Sequence, residues 1–225
     1  MSNLTLIIGE SGTGKSTSIE NLPPEETYII NVIGKKMPFR GFNKNYSPDK
    51  KNYICTDDYS KILKTLQGIN NNELAKHIKN IVIDDFQYVM ANEFMRRASE
   101  NGWNKFTEIG QHAFAIVDEC LKMRDDLFIF ILSHSELGDN GKMKIKTIGK
   151  MLDEKISLEG MFTTVMHTSI VDGKFKFITQ NDGSHIAKSP CGMFEDLHID
   201  NDLLAIKNSM INYYEGENHE VSAKV

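Results

Sequence analysis

The sequence predicts an α/β fold with a mostly parallel central sheet, flanked by helices and ending in an antiparallel hairpin. Three observations carry this. Short apolar runs of strand length alternate with longer stretches of helical periodicity. A glycine-rich turn joins the first apolar run to the first helical stretch. Two late β-rich runs flank Asp172-Gly173, the dipeptide of a tight hairpin. The chain of 225 residues suits one domain. We place it at residues 1–214, with a polar tail over 215–225 expected to fray.

Leu4 to Ile8 is the first apolar run, and Ser16 to Leu22 is expected to start a helix that Pro23-Pro24 ends. Thr27 to Ile33 reads as a second strand. Gly34 to Tyr53 is a polar excursion carrying Lys35, Lys36, Arg40, Lys44, Lys50 and Lys51. Asp57 to Ile69 has a helical apolar face, and a short helix around Glu73 to Ile78 is possible. Ile81 to Phe86 reads as a buried parallel strand ending in two carboxylates. Residues 87–110 begin as helix and break near Asn101-Gly102, and His112 to Arg124 is a strong helix. Asp126 to Leu132 is another buried strand, ending at Ser133-His134. Glu136 to Gly149 reads as a loop or loose ribbon, and Leu152 to Met161 as a short helix. Thr163 to Val171 and Lys174 to Thr179 are the hairpin strands. Gly183 to Asn201 reads as loop, and Asp202 to Tyr214 as a last amphipathic helix.

The turn after the first strand, "GESGTGKST", has the spacing G-x-x-x-x-G-K-S from Gly9 to Ser16. Strand, glycine loop and helix start form the context in which bare backbone N–H groups converge on a phosphate. Gly9, Glu10, Ser11, Gly12, Thr13, Gly14, Lys15, Ser16 and Thr17 are therefore the candidate nucleotide-binding residues. Lys15 is expected to reach the β- and γ-phosphates of ATP, and the Ser16 hydroxyl to hold Mg²⁺.

Asp84, at the tip of an apolar strand, fits the second Mg²⁺ position of such sites. Asp85 is the candidate for orienting the attacking water, and two adjacent carboxylates repel in a way that a divalent cation relieves. His134 ends the next strand, where a polar side chain can touch a γ-phosphate; it reads equally as a surface histidine. In "GKMKIKTIGK", Lys142, Lys144, Lys146 and Lys150 alternate with apolar residues. This is a candidate phosphate-tracking strip for single-stranded nucleic acid, though it holds no aromatic stacker, and it reads otherwise as a solvated loop. Lys188 is a candidate charge-stabilising finger reaching a neighbouring subunit's γ-phosphate.

Composition narrows the classes. Hydrophobic residues are 40% and charged residues 25%, ordinary for a globule with a core. The net charge of −5 announces no nucleic-acid partner, so any such partner must meet a local basic surface. Cys55, Cys120 and Cys191 are scattered and suit a reducing cytoplasm. The first strand begins close to Met1, so no signal peptide is expected, and no apolar run is long enough for a membrane. Only Arg40, Arg96, Arg97 and Arg124 are available to clamp phosphates, which disfavours a small-molecule kinase.

The stretches "GESGTGKST", "IVIDDF", "FIFILSHSE" and "HIAKSPCGMFEDLHIDNDLLAIKNSMINYY" together resemble the phage-encoded P-loop ATPases of the RecA superfamily. Within these the chain is most similar to the small RecA-core single-strand annealing proteins of the Sak group, over roughly residues 4–214. The resemblance implies a RecA-like ATPase core, ATP and Mg²⁺ as cofactors, and action on single-stranded DNA in phage recombination or replication within the host cytoplasm. It also implies a homo-oligomer, as ring or filament, and work beside a single-strand-binding protein. On this resemblance residues 9–17 are Walker A and Asp84 is Walker B. His134 becomes a γ-phosphate sensor, residues 135–150 fall at the second DNA-binding loop, and residues 87–110 lie near the first. The chain departs from the pattern after its second strand, where RecA-like enzymes usually carry a catalytic glutamate and this chain reads Asn31-Val32-Ile33-Gly34-Lys35-Lys36. An alternative is a nucleotide-gated adaptor with little turnover.

Overall fold

Short β-branched runs, each too apolar to face water on either side, leave one arrangement open to them: strands at the centre of a sheet covered on both faces. A computed structural model, which describes residues 1–149, 152 and 156–216, has that arrangement. The strands are β1 (Asn3–Gly9), β2 (Thr27–Asn31), β3 (Tyr53–Cys55), β4 (Asn80–Asp84), β5 (Phe128–Leu137), β6 (Met143–Ile145), β7 (Thr164–Val171), β8 (Lys174–Ile178) and β9 (His198–Asp200). The helices are α1 (Phe42–Asn45), α2 (Tyr59–Asn71), α3 (Gln87–Arg96), α4 (Asn104–Lys122) and α5 (Leu203–Glu215).

The sheet runs β3-β2-β4-β5-β1-β7-β8-β9, with β6 paired to β5 alone. Neighbours from β3 through β7 are parallel; β8 and β9 add antiparallel edges. Alternation along each strand divides the core. Leu4, Leu6 and Ile8 of β1, with Ile81 and Ile83 of β4 and Ile129 and Ile131 of β5, pack under α2, α3 and α4. Ile7, Val82, Phe130 and Leu132 point the other way. They meet α5 through Leu203, Ile206 and Met210, together with Met37 and Tyr46 from the excursion after β2. Asp58 and Asp202 cap α2 and α5 by accepting from backbone N–H groups of their first turns.

Several expectations shift. The helix expected from Ser16 is a single 3-10 turn, Ser16–Ile19, because Pro23-Pro24 leaves it no length. The second strand stops at Asn31, whose side chain turns the chain by accepting from the Gly34 N–H and donating to the Lys35 carbonyl. The excursion contains the short α1 and ends in edge strand β3, which the polar sequence around it concealed. The helix expected from His112 begins eight residues earlier, at Asn104. Residues 183–201, read as loop, contain β9. The stretch 136–149 is a ribbon: β5 continues to Leu137 and turns back as β6, with Glu136 opposite Lys144. Of the helix expected over 152–161, a 3-10 turn at Leu158–Met161 lies within the described residues, and residues 217–225 of the expected tail lie outside them. No helix among the described residues is long and apolar enough to cross a membrane.

Candidate functional site

The carboxyl ends of β1, β4 and β5 bring the candidate residues together. β5 lies between β1 and β4, and Gly9 stands opposite His134 in the β1–β5 register. In the glycine loop, Gly12 and Gly14 have φ of +80° and +98°, backbone that a side chain would strain. Gly9 is bare for a different reason: a Cβ there would fall 1.8 Å from the Thr168 Oγ1 of β7. That threonine faces the loop and lies 2.5 Å from the Thr13 hydroxyl, which also donates to the Glu10 carbonyl at 2.7 Å. Lys15 is buried. Its Nζ donates to the Gly9 and Glu10 carbonyls at 2.9 and 2.7 Å, so the loop wraps its own ammonium. Burial pushes that ammonium down to about 8, against the opposing pull of Asp85 and Asp84.

The Ser16 hydroxyl sits on the Asp84 carboxylate, 2.9 and 3.0 Å from its two oxygens. Asp84 and Asp85 are both buried, yet their environments drive them apart. Burial, then the neighbouring charge of Asp85, pushes the Asp84 carboxyl up to about 7. Burial also acts on Asp85, but the His134 imidazole and the Lys35 ammonium outweigh it and hold that carboxyl below its ordinary range. Lys35 Nζ lies 2.6 Å from Asp85 Oδ2, and His134 Nε2 lies 3.5 Å from Oδ1. Asp85 takes a left-handed φ of +64°, which turns its side chain off the strand line towards these partners.

His134 is tied at both ends. Its N–H donates to Gln87 Oε1 at 3.1 Å, and its carbonyl accepts from the Lys146 N–H at 2.8 Å. Gln87, the first residue of α3, also accepts from Ser133. The β5–β6 ribbon is thus registered on the same residue that faces Asp85. On the ribbon, Met143 and Ile145 take one side, while Lys144 and Lys146 alternate to the other, and Lys142 stands in the turn. Lys146 is exposed, and Lys142 and Lys144 are half-buried. Lys150 lies outside the described residues. Lys188 is exposed and exchanges both backbone hydrogen bonds with Val165, part-way down β7 rather than at its carboxyl end. Its side chain does not line the cleft of its own chain.

That cleft, about 350 Å³, is lined by Ser11, Gly12, Gly14, Lys15, Ser16, Thr17, His134 and four residues that the motifs did not single out: Lys35, Lys36, Pro38 and Phe175. Lys35 and Lys36 were visible only as charges in a polar stretch, because the turn that brings them back depends on Asn31. Trp103 is 82% exposed, and its ring lies 5.7 Å from that of Phe106, against which Gly149 at the ribbon's end packs. Among the described residues, no cluster of three or more His, Cys, Asp or Glu side chains is placed to hold a metal ion. Comparison with models of known protein families and with curated proteins found no match for this chain.

Proposed function

We propose that the protein binds ATP with Mg²⁺ at the glycine loop and hydrolyses it in step with binding single-stranded DNA, as a RecA-like recombination protein of the single-strand annealing kind. The observation that carries this is the Ser16–Asp84 hydrogen bond beside a buried Lys15 held by the loop's own carbonyls. A lysine so placed exchanges two carbonyl partners for phosphate oxygens when a nucleotide enters. The donor set fits Mg²⁺: a hydroxyl and a carboxylate are hard oxygen ligands, and one carboxylate suffices where phosphates and water complete the shell. When bound, the ion would neutralise charge developing on the phosphates. The raised Asp84 carboxyl is consistent with a group whose charge awaits a cation.

In this reading Asp85 orients the attacking water, and Lys35 controls it. Lys35 lines the cleft and pairs with Asp85; a γ-phosphate would draw the ammonium away and free the carboxylate. His134 would carry the change to the ribbon through its carbonyl bond to Lys146. Lys142, Lys144 and Lys146 would track DNA phosphates and Trp103 would stack a base. Lys188, exposed, would act across a subunit interface in a homo-oligomeric ring or filament, with a single-strand-binding protein as a further partner. The arginines argue against a kinase: none of the four lines the cleft, and three are engaged elsewhere, Arg96 with Asp57, Arg97 with Glu93, Glu100 and Glu108, and Arg124 with Asp126.

One observation favours a second reading. The stretch after β2, Val32 to Lys36, holds no acid, and its Lys35 occupies Asp85. A protein so built would bind nucleotide, turn it over slowly and act as a nucleotide-gated adaptor. ATP hydrolysis with and without single-stranded DNA, with Lys15→Ala as blank, separates the two. A DNA-stimulated rate supports the ATPase reading, and a low rate indifferent to DNA supports the adaptor.

A further inference from the structure

We infer that Phe175, backed by Ile170, is the platform on which the base of the bound nucleotide stacks. This inference rests on the nucleotide reading above and adds a base subsite to it. The cleft lining is chemically mixed. Lys15, Lys35 and Lys36 give it a cationic lining, and Pro38 and Phe175 are its only apolar lining side chains among the described residues.

Phe175 stands apart from the rest of its strand. Along β8, Phe175 and Phe177 alternate with Lys174 and Lys176, so both rings point to one side. Phe177 is fully buried in the core beneath α5. Phe175 lies two residues nearer the hairpin tip, belongs to neither core cluster and is 39% exposed. Directly across the hairpin is Ile170, 55% exposed. Two large apolar side chains thus face each other outside the core, and one of them lines the cleft.

The approach to the loop is close. A Cβ on Gly14 would come within 2.7 Å of the Phe175 ring and 2.9 Å of its Cβ. Gly14 is therefore bare both for its positive φ and for the ring seated on it, and the aromatic side chain adjoins the backbone expected to hold the phosphates. A flat apolar ring at that distance offers a nucleobase its π face without demanding a particular hydrogen-bond pattern.

The test compares ATP with inorganic tripolyphosphate, which keeps the phosphates and lacks the base. Binding of each is measured by calorimetry, with Mg²⁺, to the wild type, Phe175→Ala, Phe175→Leu and Phe175→Trp, with thermal melts to establish that each variant is folded. The expected result is a loss of about ten-fold or more in ATP affinity for the alanine and leucine variants, with tripolyphosphate unchanged and tryptophan retaining ATP. Leucine keeps an apolar branch but no ring face, so ATP affinity surviving in Phe175→Leu overturns the stacking role. A parallel loss of both ligands also overturns it, since Phe175 would then merely prop the glycine loop. A wild type that binds neither ligand overturns the nucleotide reading itself, whereas a wild type that binds both with variants indifferent to the base overturns only the subsite.

Discussion

The glycine-loop cleft and the β5–β6 ribbon lie at the same end of the sheet and share His134, yet they are built on opposite principles. In the cleft, buried groups are answered by specific partners: Lys15 by loop carbonyls, Asp84 by Ser16, and Asp85 by His134 and the half-exposed Lys35. On the ribbon, the lysines stand at or near the surface of a two-stranded turn. A group held in a cleft by one or two specific partners has no neighbour to take over its role, whereas a surface charge is screened by salt and replaceable by its neighbour. The cleft should therefore fail residue by residue, and the ribbon only in sum.

The sharpest way to break the cleft is Lys15→Met. It removes the ammonium proposed to meet the phosphates, and on that reading nucleotide affinity should fall by about 4 kcal/mol, roughly a thousand-fold. The same change should raise the thermal stability of the nucleotide-free protein. The folded Lys15 ammonium sits near 8 against an ordinary 10.5, so at neutral pH its burial opposes folding and methionine relieves that cost. A melting temperature that falls instead would show that the two carbonyl hydrogen bonds outweigh desolvation.

Next in size is an acid effect at the seam between the regions. His167 of β7 is buried against the ring of His185, 4.3 Å between centroids, and residues 184 and 186 hydrogen-bond to Met143 of the ribbon. The His167 Nδ1 pairs with the Thr168 carbonyl, and its Nε2 has no hydrogen-bond partner among the described residues. Burial, then the charge of His185, pushes the imidazole down to about 4, against the pull of Asp182. Between about pH 4 and 6.5 the unfolded chain holds a proton that the folded chain does not, so stability rises with pH across that window. The contribution is complete above 6.5 and lost on the way down, on the order of 3 kcal/mol. Denaturant unfolding at a series of pH values should have a shallower acid slope in His167→Asn than in the wild type. Equal slopes would assign the acid sensitivity elsewhere.

Asp84→Asn should cost less, about ten- to a hundred-fold in Mg²⁺-dependent nucleotide affinity. The amide keeps a partner for Ser16 and removes the repulsion from Asp85, so the fold should be unharmed. Binding measured without Mg²⁺ should be nearly the same in variant and wild type, and a loss equal with and without the ion would rule out Asp84 as its ligand.

The same contrast explains what the sequence disclosed. Gly9 to Thr17 and Asp84 could be singled out as candidates because glycine spacing and a strand-end carboxylate are local signals, and the chain sets the Ser16 hydroxyl on the Asp84 carboxylate. The parallel strands other than β3 were legible from their apolar runs, with errors of a few residues at their ends. Lys35 and Phe175 were not, because their meaning lies in a turn set by Asn31 and a register set across β7 and β8. β3 and β9 were hidden because three-residue edge strands have too little apolar pattern to separate from loop. The first helix was overestimated because the motif implies one, while the two prolines stop it after a turn.

The smallest effects belong to the ribbon, and they are the most diagnostic of how it would work. Lys142, Lys144 or Lys146 changed singly to alanine should weaken single-stranded DNA binding only about two- to three-fold at moderate salt, because neighbouring cations and counterions take up the difference. All three together should weaken it by about ten-fold and flatten the dependence of log affinity on log salt by about 2, near 0.7 for each phosphate no longer neutralised. Trp103→Ala should weaken binding comparably with the slope intact, since stacking displaces no counterions. The pair of measurements thus divides ionic attraction from stacking on a surface where no single residue dominates. If the triple variant keeps the wild-type slope, DNA does not run along β6, and the bond from His134 to Lys146 serves only to hold the ribbon in register.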